Sequence, residues 1–121
     1  MSSKHQNRLI RPRVYIGKTI SIGHGKIELL RKIDEEQSIA AAARALKMPY
    51  KRAWLLIDSL NQGFGRAVVD TTSGGKGGGK TTLTALGKAL IVRYLALEAR
   101  LNAASSAEFD ALCALASEEI I

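Results

Sequence analysis

Apolar residues recur at helical spacing near the centre of the chain. Between Lys26 and about Glu36 this spacing predicts a first amphipathic helix. The residues on its apolar face are Ile27, Leu30 and Ile33, with Leu29 beside them. Ser38 then offers a hydroxyl that can cap a second helix, which is short and alanine-rich over residues 39–47. The pattern therefore indicates two helices in close succession.

A third helix is predicted to start near Pro49, because proline suits the first turn of a helix, where its missing N–H would have no partner. This helix should end at Gly63 or Gly65. Its apolar face consists of Ala53, Ile57 and Leu60. A short helix of small residues, a tight turn and a further helix outline a helix-turn-helix.

Strand-like segments flank these helices. Residues 13–22 are β-branched and loosely alternating, which predicts one strand near the N-terminus. Residues 66–72 and 80–84 predict the two strands of a hairpin, with the glycine-rich loop 73–79 between them. A hairpin that follows the third helix is where a winged helix-turn-helix carries its wing.

The C-terminal third of the chain predicts two more helices. The first should run from Ala85 to about Ala103, and the second from a cap at Ser105 or Ser106 through Glu119. Five apolar positions of the first follow a heptad-like spacing: Leu86, Leu90, Tyr94, Leu97 and Leu101. Such a stripe is suited to pairing between two helices, so we expect it to join a homodimer.

These elements predict a mainly α fold with a small β-hairpin, which is a winged helix-turn-helix followed by a long dimerisation helix. A chain of 121 residues has room for one domain. We expect a basic N-terminal segment with one strand at 1–22, the winged helix-turn-helix at 23–84 with its wing at 66–84, and dimerisation helices at 85–121.

Charge is unevenly distributed along the chain, whose formal net charge is +7. Residues 1–80 carry 15 Lys and Arg against 6 Asp and Glu, whereas residues 81–121 carry 3 against 5. The basic part suits a polyanion, although a basic surface can also serve solubility alone. The predicted helix-turn-helix favours nucleic acid as the partner.

The segment Pro49-Tyr50-Lys51-Arg52 stands at the start of the predicted recognition helix, the end that usually meets base edges in the major groove. Arg52 can donate two hydrogen bonds to a guanine, while Lys51 and Tyr50 can contact bases or phosphates. The alternative is a solvated helix face without a ligand. The position behind a short helix favours the DNA contact.

Three further residues near the helix-turn-helix are candidate contacts. Trp54 adjoins the apolar face of the third helix, so it either packs at the edge of the core or donates its indole N–H to a nucleic-acid backbone. Ser38 and Lys47 flank the second helix and could contact phosphates. For Ser38, capping alone is the simpler role.

The string GGKGGGKT at residues 74–81 matches the nucleotide-binding pattern G-x-x-x-x-G-K-[ST]. That pattern binds nucleotide only where a helix begins at the lysine, because the phosphates rest on the N-terminal amides of the helix. Lys80 instead opens a β-branched, alternating run. We therefore expect a wing and no enzyme, and an ATPase with Lys80 on phosphate and Thr81 on magnesium is the disfavoured alternative.

In a wing, the same lysines would neutralise DNA phosphates. Lys76 would lie at the tip of the loop, with Arg66 and Lys80 near its base, and the glycines would let the backbone approach the duplex closely.

The sequence gives little support for a metal site, a membrane span or a signal peptide. His5 and His24 have no Cys or carboxylate at metal-ligand spacing, and Cys113 lies on an apolar helical pattern where it packs as a small hydrophobe. Neither a membrane-spanning stretch nor the apolar core of a signal peptide occurs. We expect a cytoplasmic protein associated with the nucleoid.

The string SIAAAARALKMPYKRAWLLIDSLNQ, followed by GGKGGG and LTALGKALIVRY, resembles the N-terminal DNA-binding domain of the molybdenum-dependent transcriptional regulators of ModE type. These are related to the LysR-type winged helix-turn-helix. The resemblance covers about residues 20–103, and its specific parts are YKRAWLLIDSLN and the glycine-rich wing.

The resemblance implies a homodimer that binds inverted-repeat operators, usually of genes for molybdate uptake or molybdenum enzymes. It places Tyr50, Lys51 and Arg52 in the recognition helix and Lys76 on the wing. Full-length members carry molybdate-sensing domains after the DNA-binding domain, whereas this chain ends at Ile121. We therefore expect no cofactor within it. The alternative function is a nucleoid-type protein that coats DNA with little sequence preference.

Overall fold

Two short hairpins and a series of helices make up the structure, a computed structural model that describes residues 9–72 and 79–120. In order, the elements are β1 (Val14–Ile16), β2 (Ile20–Ile22), α1 (His24–Glu36), α2 (Ile39–Ala45), α3 (Tyr50–Phe64), β3 (Val69–Thr72), β4 (Lys80–Leu83), α4 (Ala85–Ala104) and α5 (Ser106–Ile120). This order confirms the predicted winged helix-turn-helix.

The N-terminal segment contains a hairpin where the sequence predicted one strand, so that prediction was wrong. Strands β1 and β2 pair antiparallel, with Val14 opposite Ile22 and Ile16 opposite Ile20. The chain reverses at Gly17, whose φ of +61° is a left-handed conformation that costs glycine little. The single glycine breaks what otherwise has the composition of a continuous strand.

Local signals set the ends of the first three helices. Gln37 ends α1 in a left-handed conformation with φ 56°, and Ser38 then caps α2 by accepting a hydrogen bond from the Ala41 amide at 3.0 Å. Pro49 stands in extended conformation at the N-cap of α3, one residue before the helix. At the other end, Gly65 closes α3 with φ +67°.

The core forms around α1. Its largest fully buried side chains are Ile27, Leu29, Leu30, Ile33, Ile57 and Val68. Small residues let α2 and α3 approach closely, since Ala42, Ala43 and Ala53 are at most 2% exposed. The helix-turn-helix is therefore one packed unit, which fixes the direction of α3.

The wing is anchored at its base. Strands β3 and β4 pair antiparallel from Val69 opposite Leu83 to Thr72 opposite Lys80. The Thr81 amide donates a hydrogen bond to the Gln37 carbonyl at 3.0 Å, which ties β4 to the end of α1. Lys76, the predicted tip of the wing, lies outside the described residues.

Part of the stripe that the sequence predicts for dimerisation is buried within a single chain. Leu90 and Tyr94 are only 9% and 5% exposed within a single chain, and Leu86 packs against the same core. The Tyr94 hydroxyl donates to the Pro12 carbonyl at 2.6 Å, so this part of the stripe is committed to the protomer. Leu97 and Leu101 remain about 38% and 37% exposed.

Helix α5 continues beyond α4 and presents apolar side chains to solvent. Leu112 and Leu115 are 63% and 60% exposed. Cys113, predicted to pack as a small hydrophobe, is half-buried. We refer to the exposed leucines of α4 and α5 together as the C-terminal apolar surface, which we define by Leu97, Leu101, Leu112 and Leu115.

Candidate nucleic-acid interface

The first turn of α3 presents its charged side chains to solvent. Tyr50 is 54% exposed, and Lys51 and Arg52 are exposed beside it. The Pro49 carbonyl accepts hydrogen bonds from the Arg52 and Ala53 amides at 3.0 and 3.2 Å, which holds this turn in place. Within the described residues neither Lys51 nor Arg52 forms an ion pair, so both cations are available to an anionic ligand.

Trp54 combines the two alternatives that the sequence left open, packing at the edge of the core and exposure to a possible ligand. It packs against the core, and it also faces a cleft of about 250 Å³ between α2, α3 and the wing. Its ring meets that of Tyr50 edge to face, with centroids 6.4 Å apart and planes at 83°. This contact orients Tyr50 at the mouth of the cleft.

The cleft brings together several of the predicted contact residues. Ser38 at the start of α2 and Lys80 at the start of β4 line it from opposite sides, together with Tyr50 and Trp54. Hydroxyls of Thr71 and Thr72 add further hydrogen-bonding groups. Donors and a cation around a narrow cleft suit a phosphodiester backbone.

Lys47 and Arg66 lie outside this cleft. Lys47 is exposed in the turn between α2 and α3, where it adopts a left-handed conformation with φ 57°. Arg66 is exposed directly after α3, in the connection to the wing. The structure thus leaves both cations at the surface of the helix-turn-helix, one at each end of α3.

The structure supports the interpretation of residues 80–83 as a wing strand. Lys80 begins β4, and its amide and carbonyl both bond the Thr72 hydroxyl at 3.2 Å across the hairpin. Thr81 is buried, with its amide on the Gln37 carbonyl. A nucleotide-binding loop requires a helix at this point, and the chain forms a strand instead.

Sequence reasoning missed that the exposed face of α3 extends beyond the first turn of the helix. Leu55 is 56% exposed, and Asp58, Ser59 and Gln62 are exposed near it. These residues line a shallow concavity with Thr19, from the turn of the N-terminal hairpin. The signal was present, because Leu55, Asp58 and Gln62 follow Lys51 at helical spacing.

A buried lysine of α1 links α3 to the N-terminal hairpin. Lys26 is 9% exposed, and its Nζ donates to the Ser21 carbonyl at 2.6 Å and to Ser59 Oγ at 3.0 Å. Burial lowers the pKa of Lys26, and the positive charge of Arg13 lowers it further. These bonds tie β2 to α3. Helical periodicity gave no sign of them, because Lys26 occupies an ordinary first-turn position.

Two classes of feature are absent from the described parts of the chain. Residues 9–72 and 79–120 contain no helix long and apolar enough to cross a membrane. They also bring no group of three or more His, Cys, Asp or Glu together to hold a metal ion.

Residues 25–88 match the family model described as bacterial regulatory helix-turn-helix protein, lysR family. The molybdenum-pterin-binding protein MopA of Rhodobacter capsulatus is 37% identical over 83 residues, which are 69% of this chain and 31% of MopA. The molybdenum transport protein ModE of Azotobacter vinelandii is 40% identical over 60% of this chain and 27% of its own length. The DNA-binding transcriptional dual regulator ModE of Escherichia coli K12 is 39% identical over 57% and 26%. The match therefore covers less than a third of the length of these relatives.

Proposed function

This chain belongs to the lysR family of bacterial regulatory helix-turn-helix proteins, and we propose that it binds double-stranded operator DNA sequence-specifically as a transcriptional regulator. The observation that carries the proposal is the first turn of α3, where Lys51 and Arg52 are exposed without an ionic partner in the described residues. A rigid helix end that presents free cations is what major-groove recognition requires.

In this mechanism the first turn of α3 enters the major groove. Arg52 donates a bidentate pair of hydrogen bonds to a guanine, which is worth about 1–3 kcal/mol of discrimination. Lys51 contacts a neighbouring base or phosphate, and Tyr50 is held at the groove edge by Trp54. Since α3 is fixed by the core, little ordering cost accompanies binding.

The cleft between α2, α3 and the wing receives the sugar-phosphate backbone. Lys80 supplies the positive charge, and Ser38 and the Trp54 indole N–H supply hydrogen bonds. Arg66 and Lys47 extend the basic surface, and Lys76 does so on the part of the wing outside the described residues. These contacts set affinity and register without selecting a sequence.

The protein acts as a homodimer in this proposal, joined through residues 85–121. The C-terminal apolar surface supports this, because its four leucines are at least a third exposed and a second copy of the chain would bury them. A twofold axis would place two copies of α3 about 34 Å apart, one turn of DNA. The operator is then a pseudo-palindrome.

The target genes in this proposal are those of molybdate transport or molybdenum enzymes. The support comes from the relatives, whose names state molybdenum transport, molybdenum-pterin binding and DNA-binding regulation. The helix-turn-helix family model covers residues 25–88, and an operator-binding surface in that part of the chain is the property that the proposal carries over. The site of action is the chromosome, hence the cytoplasm.

The test is a comparison of specific with non-specific binding. Operators are first selected from genomic fragments by the purified protein, and affinities are then measured for a selected and a scrambled duplex at one salt concentration. A regulator gives a ratio of about a thousandfold or more. A ratio near one would instead support a nucleoid-type protein that coats DNA.

A further inference from the structure

We propose that Leu55 contacts the 5-methyl group of a thymine in the major groove and so selects a T·A base pair next to the bases met by the first turn of α3. The inference rests on the proposed function and adds to the same surface a residue that determines DNA sequence specificity. Leu55 is 56% exposed, whereas Leu60 of the same helix is 2% exposed.

The neighbours of Leu55 distinguish it from an ordinary surface leucine. The adjoining turns of that helix face carry Lys51, Arg52, Asp58 and Ser59, all of them exposed. Leu55 lies opposite the buried side chains of Ala53 and Ile57. It is therefore an apolar residue at the centre of a charged and polar face.

The distances fit a helix lying in the groove. One helical turn separates Lys51 from Leu55, about 6 Å along the axis, which corresponds to roughly two base-pair steps. The major groove is about 12 Å wide and admits a helix, so a residue one turn beyond the first contacts still faces base edges. Leu55 thus remains over the duplex when Lys51 and Arg52 are bound.

Thymine is the occupant that the chemistry selects. Among the base edges of the major groove, thymine alone carries a methyl group, and the groups that identify the other bases are hydrogen-bond donors or acceptors. Leucine can gain from contact with that methyl and has no hydrogen bond to offer to the rest.

Asp58 supports an orientation toward bases. Asp58 is exposed one turn beyond Leu55 on the same face. If this face lay against the DNA backbone, the phosphates would repel the carboxylate of Asp58. At base edges the same carboxylate can accept a hydrogen bond from the amino group of a cytosine. The face that contains Leu55 is therefore suited to the groove, where Arg52 of the first turn also meets a base edge.

The experiment deletes the methyl group alone. Synthetic duplexes of the selected operator carry uracil in place of one thymine per half-site, position by position, and their affinities are measured for the wild-type chain and for Leu55→Ala. At one position uracil should weaken wild-type binding about fourfold for each half-site that carries it, the factor to which burial of one methyl-sized group corresponds. Leu55→Ala should bind the thymine and uracil duplexes equally at that position.

The matched control is Val92→Ala, which truncates an apolar side chain that is 63% exposed on α4. This variant should retain the full uracil effect. Because Leu55 is exposed, its truncation leaves the core intact, and unfolding curves check that both variants fold. A uracil effect that persists in Leu55→Ala, or its absence at every position, would overturn the inference.

The outcome separates this inference from the proposed function. If wild-type protein distinguishes operator from scrambled DNA and Arg52→Ala reduces that distinction, the proposed regulator function is supported whatever the uracil series gives. If wild-type protein shows no preference for the operator, the proposed function fails and this inference fails with it. A Leu55→Ala variant with unchanged DNA binding but an altered oligomeric state would assign Leu55 to a protein contact instead.

Discussion

Helices α3 and α4 differ most in what they leave exposed after packing on the same core. The outer face of α3 carries cations and hydrogen-bonding groups around one leucine, whereas the far part of α4 and the following helix α5 expose the C-terminal apolar surface. A charged face suits a polyanion, and an apolar face suits another protein surface. The contrast supports the proposal that DNA contact falls to α3 and self-association to α4 and α5.

Both helices place a small residue against the core. Helix α3 packs through Ala53, which is 0% exposed. Helix α4 packs through Gly87, where an added Cβ would lie 2.3 Å from the Val68 carbonyl oxygen. The first half of α4 is therefore as much part of the protomer as α3 is.

The largest expected effect comes from breaking that shared packing. Gly87→Ala should destabilise the fold by about 3 kcal/mol, because the backbone carbonyl of Val68 cannot move aside as a flexible side chain can. Denaturant unfolding at fixed protein concentration measures the loss.

Gly25→Ala is the matched control for that substitution. An added Cβ at Gly25, in the first turn of α1, meets nothing within 4 Å, so stability should be unchanged or slightly higher. Equal stability of the two variants would show that α4 is not seated on Val68 as the structure has it.

The next largest effect tests the charged side of the comparison. Arg52→Ala should weaken operator binding by about ten- to a hundredfold and leave binding to scrambled DNA almost unchanged, because it removes a base contact. Fluorescence anisotropy with both duplexes measures the two affinities.

Lys80→Ala provides the contrast within the same surface. It should weaken both duplexes alike and make the slope of affinity against salt shallower by about one, because it removes a phosphate contact. If Arg52→Ala instead behaved like Lys80→Ala, the first turn of α3 would contact backbone and no base.

Much of α3 and its surroundings was predictable because the determining signals are local. Helical periodicity placed α1, α2 and α3 within a few residues of their ends, and the capping role of Ser38 followed from its type and position. The N-terminal hairpin was not predictable in this way. One glycine in a β-branched run turns only because the two halves pair with each other.

What covers the stripe on α4 was not predictable for a different reason. Periodicity shows that a face is apolar, but it does not show what covers it. Leu90 and Tyr94 are covered by the protomer itself, and Leu97 and Leu101 are left half-exposed by the same helix. The contacts that decide this, such as the one from Tyr94 to Pro12, join residues far apart in sequence.

The apolar side of the comparison is tested by changing the exposed part of the α4 stripe, Leu97 and Leu101, and leaving its buried part unchanged. The double variant Leu97→Ser and Leu101→Ser should raise the dissociation constant of the dimer by about tenfold or more, because two apolar contacts lose their burial. Sedimentation equilibrium measures the oligomeric state. Half-sites would then bind independently, which reduces affinity for the whole operator.

Val92→Ser is the control for this pair. Val92 is 63% exposed but lies on another face of α4, so its substitution should leave the dimer intact. Dissociation by Val92→Ser and none by the double variant would move the interface away from the C-terminal apolar surface.

The smallest expected effect concerns the buried amine that supports α3. Lys26→Met keeps the packing but removes the hydrogen bonds to the Ser21 carbonyl and Ser59. It also removes the cost of burying a charge, so the net change in stability near neutral pH should stay within about 1 kcal/mol. The informative quantity is the pH dependence. The pKa of Lys26 in the folded state is lowered below its ordinary 10.5, first by burial and then by Arg13.

The unfolded state therefore binds more protons between the lowered pKa and 10.5, and wild-type stability should rise with pH across that window relative to Lys26→Met. Burial, followed by the charge of Glu98, raises the pKa of Tyr94 above 10.0, which lowers stability as the pH rises above 10.0, so the comparison is made below pH 10.0. Urea unfolding at successive pH values measures both proteins. Lys32→Met, which removes a partly exposed lysine paired with Glu35 on the same helix, should keep the wild-type pH dependence. Parallel curves for wild type and Lys26→Met would mean that Lys26 is not held in the low-dielectric position between β2 and α3.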